Sequence, residues 1–208
     1  MLLEACIENL YEAKKAEAFG ASRLELCSDL SVGGLTPITS VVEEVLETVH
    51  IPVKIMIRPR AGNFHFNERE VLKMINSVER LKNYKFDGFV TGALTADRQV
   101  DLESTKRLAE AAAPFKVTFH KAIDQTPDLL SSLRKLQNIP GISSILTSGG
   151  KENAMEGAAM ISKLISEAGP GFEIIAAGGI SFHNLYIIHS MIHGQSYHGR
   201  RIVGNLTE

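Results

Sequence analysis

Short runs rich in apolar and β-favouring residues alternate with longer stretches whose apolar positions recur at helical spacing, and this alternation repeats along the whole chain. Eight runs read as strands: residues 2–6, 23–27, 53–58, 88–91, 116–120, 144–147, 173–177 and 196–198. Helical stretches fall between them at 40–49, 67–81, 101–112, 126–137 and 154–168. Asn67 followed by Glu70 reads as a capping box, Thr126 as an N-cap before Pro127, and Gly169-Pro170-Gly171 as a helix stop. Strands that alternate with helices form a parallel sheet, and eight units exceed the five or six strands of most open doubly wound sheets. The pattern therefore predicts an α/β fold, a single (β/α)8 TIM-type barrel domain over residues 1–208. Ten residues follow His198, too few for a full eighth helix. Either these residues form a plain closing tail, or a groove left between the last and first units is covered by a second copy of the chain, making a homodimer.

Composition narrows the function classes. A hydrophobic content of 44%, a charged content of 22% and a net charge of −2 lack the basic excess of a nucleic-acid binder. Glu4 interrupts any signal-peptide core, and no apolar run approaches the roughly 20 residues of a membrane helix. A cytoplasmic protein without nucleic-acid or membrane partners is expected, with Cys6 and Cys27 as free thiols.

Barrel sites are built at the carboxyl ends of the strands, where residues two apart share a face. Glu4 with Cys6, Glu25 with Cys27, Arg58 with Arg60, and Thr118 with His120 form such pairs. Arg58 and Arg60 suit an anion clamp or a network with Glu4 and Glu25, because inward guanidinium groups need carboxylates or a bound anion. His120 is the acid-base candidate, with Glu4 or Glu25 assisting; Asp124 either orients it or caps a helix before Thr126. Glycine-rich turns at Thr147, Ser148, Gly149 and Gly150, at Gly178 and Gly179, and beside His198 suggest amides that cradle an anion. Together these residues suit an enzyme acting on a small phosphorylated or carboxylated metabolite. The cysteines offer a second chemistry. At the tops of neighbouring strands, Cys6 and Cys27 would form a soft Cu(I) site, with Met56 or His120 as further ligands, or would simply pack.

The runs "RLELC", "GGLTP", "IPVKIMIRPRAGNF", "TFHKAID" and "LTSGG", in that order, closely resemble the CutC family of copper-homeostasis proteins. The resemblance implies a cytosolic (β/α)8 barrel associated with copper handling, with Cu(I) held by cysteine, principally Cys27 with Cys6. It places rim positions on Glu4, Glu25, Cys27, Arg58, Arg60, His120, Thr147 to Gly150 and His198. Asn63, Phe66 and Lys121 depart from the Asp, Tyr and Arg common in the family.

Overall fold

The computed structural model describes residues 1–207. Eight parallel strands close into a barrel in chain order: β1 (Leu2–Ile7), β2 (Arg23–Leu26), β3 (Val53–Met56), β4 (Gly88–Thr91), β5 (Lys116–Phe119), β6 (Ile142–Thr147), β7 (Glu173–Ala176) and β8 (Ser196–Gly199). Seven helices surround it: α1 (Leu10–Ala18), α2 (Thr39–Thr48), α3 (Glu68–Leu81), α4 (Leu102–Ala112), α5 (Leu129–Gln137), α6 (Ala158–Ala168) and α7 (Leu185–Ile192). No helix follows β8 among the described residues, where Ile202 and Leu206 are buried.

Local chemistry sets the helix starts. Asn67 and Glu70 form the expected capping box at α3, and Asp101 caps α4 by accepting from the Ser104 amide. The fifth helix begins later than the sequence suggests. Residues 121–125 form a 3₁₀ turn, Thr126 donates its hydroxyl to the Ile123 carbonyl, and Asp128 caps α5 instead. The sixth also starts late, at Ala158, because the Ala154 amide is bound to the Gly178 carbonyl in the neighbouring loop.

Strand alternation divides the apolar residues. Leu24, Leu26, Ile55, Ile57, Phe89, Val117, Phe119 and Ile145 face outward and pack in one cluster with Val71, Met74, Val78, Leu81, Leu108, Leu133, Leu136, Ile161 and Leu164 from the helices. The opposite face fills the barrel and carries fewer apolar groups. Two small clusters sit there, Cys27 with Met56 and Val90, and Leu146 with Ile175 and Ala177. The remaining inward positions are polar, and the register fixes who meets whom: Glu4 lies beside both Arg23 and His198, and Cys6 lies beside Glu25.

Candidate functional site

Deep in the barrel the polar groups satisfy one another. Glu4 accepts from Arg23 Nε, while Arg23 Nη2 lies 3.0 Å from Glu173 Oε1. Lys54 Nζ sits 3.8 Å from Glu4 and 3.7 Å from Glu173 and donates to Thr118 Oγ1 at 2.8 Å. Thr118 then meets the Ser144 hydroxyl at 2.7 Å, and Ser196 donates to Glu173 Oε1 at 2.6 Å. Burial works against ionising Glu4, yet the His198 hydrogen bond and the charges of Lys54 and Arg23 hold its carboxyl well below the usual range.

Above this network, at the carboxyl end of the strands, lies a cavity of about 260 Å³. Glu4 reaches up to it through His198, whose Nδ1 donates to Glu4 Oε1 at 2.9 Å. That bond turns Nε2 toward Glu25, 3.7 Å from its Oε2. A nitrogen of His198, a carboxylate oxygen of Glu25 and the Cys6 sulfur all lie within 4.8 Å of one another. Burial opposes a charge on His198, but Glu25, Cys6 and Glu4 outweigh it and raise the imidazole well above its ordinary value. Burial raises Glu25 as well.

The two cysteines differ in surroundings. Cys6 lines the cavity, whereas Cys27 is fully buried with Met56 and Val90, and its thiol lies 3.5 Å from Glu25 Oε2. The loop after β2 seals it: at Gly34, φ is +85° and a Cβ would stand 3.1 Å from the Cys27 sulfur. Burial first, and then the Glu25 carboxylate, push the Cys27 thiol well above its ordinary value. Both thiols are free.

His120 lies on the far wall. Its Nδ1 accepts from the Ala122 amide at 3.2 Å, so the neutral ring carries its proton on Nε2, which has no partner. Burial and then the Arg58 charge lower its pKa to about 3. The imidazole is thus a neutral donor near pH 7, a different state from the proton-exchanging base expected of it. Gly92 makes room for the ring, since a Cβ there would stand 2.7 Å from Nδ1.

Arg58 and Arg60 part company. Arg58 is buried at the cavity, where Nη1 donates to the Val32 and Gly34 carbonyls and Nη2 to the Gly62 carbonyl. Arg60 turns outward to Glu70 on α3 and to the Asn63 and His65 carbonyls. Proline at position 59 stands between them, beyond the end of β3, where strand alternation no longer governs direction.

The glycine turn after β6 already holds an anion, and it belongs to the chain. Asp124 accepts from the Ser148 and Gly150 amides at 2.9 Å each, from the Thr147 and Ser148 hydroxyls, and from Lys121 Nζ. Asp124 therefore neither orients His120 nor caps a helix. Gly149 donates to Thr147 Oγ1. Gly178 serves close packing, for a Cβ there would stand 2.8 Å from Ser148 Cβ, and the Gly179 carbonyl accepts from Asn184. Neither of these glycines lines the cavity.

The geometry thus gathers Cys6, Glu25, Arg58, His120 and His198, with Glu4 beneath them, and leaves Arg60 and the glycine turns outside. It also adds Phe64, whose ring is 4.8 Å from Arg58 Cζ and 4.9 Å from the His120 ring. Lys121 and Arg200 complete the rim. In the sequence, Phe64 carried a faint signal as the aromatic after "RPRAGN"; the places of Arg200 and Gly92 carried none.

Comparison with known proteins agrees with this architecture. The family model described as the CutC family matches residues 1–201. A CutC family protein of Pasteurella multocida is 40% identical over 90% of this chain and 77% of its own length. The Homo sapiens copper homeostasis protein cutC homolog is 41% identical over 88% of this chain and 67% of its own. The crystal structure of CutC from Streptococcus agalactiae superposes with a TM-score of 0.92 at 33% identity, covering 97% of this chain and 99% of that one. A phosphonomutase structure from Burkholderia cenocepacia, at 15% identity and a TM-score of 0.67, shares the fold alone.

Proposed function

The chain belongs to the CutC family, and from that premise we propose that it serves copper homeostasis by binding Cu(I) at the carboxyl end of the barrel, through Cys6 and His198. The observation that carries this reading is the approach of Cys6, Glu25 and His198 within 4.8 Å, with Glu4 fixing the histidine from behind. A thiolate and an imidazole suit Cu(I), which would take the place of the Nε2 proton of His198, and a carboxylate on the far nitrogen is the usual outer partner of a metal-binding histidine. Glu25 is a harder donor and serves better as charge balance beside the ion. Cys6 is preferred to Cys27 because its thiol faces the cavity, whereas Cys27 lies sealed beneath Gly34. A reducing, cytoplasmic setting fits two free thiols, of which Cys6 must stay available to a soft ion.

The test is a competition titration of the reduced protein with Cu(I) against a chelator of known affinity, run on wild type, Cys6→Ser and Cys27→Ser. Wild type is expected to take up one ion. Cys6→Ser should weaken it by more than about 100-fold, beyond what loss of an outer partner causes, and Cys27→Ser should change it little. Loss confined to Cys27→Ser would move the site to the buried thiol. Equal binding by all three would overturn the reading.

A further inference from the structure

Buried polar groups in folded proteins have partners almost without exception, so those without a protein partner mark strain, an ordered water or a ligand. Four buried side-chain atoms lack a partner among the described residues: Glu25 Oε1, Arg58 Nε, His120 Nε2 and Thr105 Oγ1. Thr105 lies on α4, away from the barrel interior. The other three belong to residues that wall the same cavity, and each of those residues is more than nine-tenths buried.

The charges around the cavity point the same way. Lys121 is paired with Asp124, Arg200 with Glu8 and Glu12, and His198 with Glu4. Among the described residues Arg58 has no carboxylate within ion-pair distance; three backbone carbonyls hold its terminal nitrogens. A buried guanidinium without a counter-charge is costly, and burial lowers its pKa. One anion of single charge would relieve it.

We propose that this cavity is a binding site for a small 2-hydroxycarboxylate, with Arg58 Nε and His120 Nε2 donating to the carboxylate, Glu25 Oε1 bonded to the hydroxyl, and Phe64 and Leu146 as apolar walls. Two unpaired N–H donors match the two oxygens of a carboxylate. A phosphate dianion would need more donors and more positive charge, and the amides of Ser148 and Gly150 that would supply them are already bound to Asp124. A hydroxyl donates or accepts, so its bond to Glu25 forms in either protonation state of that carboxyl. Phe64 touches both donor residues, its ring 4.8 Å from Arg58 Cζ and 4.9 Å from the His120 ring, tilted 54° to the latter.

The site shares the cavity and Glu25 with the Cu(I) reading but takes no bond from Cys6 or His198, so it does not rest on copper being held there. The test uses the metal-free, reduced protein with sodium lactate as probe, followed by calorimetry and by the ¹⁵N signals of the histidine side chains. Lactate is expected to bind at about millimolar Kd, to shift the His120 Nε2 resonance, and to bind at least about tenfold tighter than lactamide or inorganic phosphate. His120→Phe keeps the ring against Phe64 and removes the donor; it should weaken lactate by about tenfold while circular dichroism shows the fold intact. Arg60→Ala, outside the cavity, should bind lactate as wild type does. Lactamide binding as well as lactate, phosphate binding more tightly, unchanged affinity in folded His120→Phe, or no shift of the His120 signal would each overturn the proposal.

Discussion

The two ends of the barrel interior are built from the same residue types and treat them in opposite ways. At depth, Glu4, Arg23, Lys54, Glu173, Thr118, Ser144 and Ser196 form a closed set in which each charge meets an opposite charge or a hydroxyl. At the carboxyl end, Glu25, Arg58 and His120 are buried as well, yet each keeps one polar atom without a partner among the described residues. Burial alone therefore does not separate scaffold from site. Completion does: one network is closed by the protein's own groups, and the other leaves atoms for water or a ligand to complete.

The largest expected effect comes from opening the finished end. Arg23→Met would leave Glu4 and Glu173 with only Lys54 and His198 to balance them, and is expected to cost about 3–5 kcal/mol in urea unfolding. A loss under about 1 kcal/mol would show that the network is worth no more than a surface pair.

The unfinished end should reveal itself through pH. His120 has a folded pKa of about 3 against an ordinary 6.5, so the unfolded chain takes up a proton first as pH falls. Stability is then full above the unfolded pKa and declines by up to about 1.4 kcal/mol per pH unit on the way down. His198, raised in the folded state, contributes an opposing slope that fades within about one pH unit below 6.5 as the unfolded imidazole becomes protonated too; Glu4, lowered, begins to cost stability only as pH nears the carboxylate range. Glu25, raised in the folded state, contributes the opposite slope above the ordinary carboxylate range in both proteins, so the readout is the difference. Between about pH 6.5 and 5 the unfolding free energy should fall more steeply with falling pH in wild type than in His120→Phe. Equal slopes would place the acid sensitivity elsewhere.

Gly92→Ala sharpens the comparison at one atom. The added methyl would meet the His120 ring within van der Waals distance, and is expected to cost about 1–3 kcal/mol and to perturb the His120 side-chain resonances. The smallest effect belongs to Arg60→Ala. Its pair with Glu70 is partly exposed, so about 0.2–1 kcal/mol is expected by denaturant titration, against a much larger loss if Arg60 were part of the buried network.

How far the sequence could be read depended on the range of the interaction involved. The strand at residues 23–27 announced its inward face through Arg23, Glu25 and Cys27 because side-chain alternation is a local property of the backbone. The same rule, carried four residues past the end of β3, set Arg60 beside Arg58, and the chain there turns away. The glycine turn after β6 was legible as an anion cradle, but its occupant, Asp124, comes from the loop after β5. Nothing in the spacing of either segment encodes that meeting.

Periodicity, turn residues and caps, all short-range, were enough to specify eight strands in parallel order and therefore the barrel. Which polar side chains finish one another was decided only when the barrel closed. Closure brings Glu4 beside Arg23 and His198, residues far apart in the chain, and sets Cys6 opposite Glu25. Register between strands is a long-range quantity, set by how the outer faces pack against the helices, and a shift of one residue would exchange every inward group for an outward one.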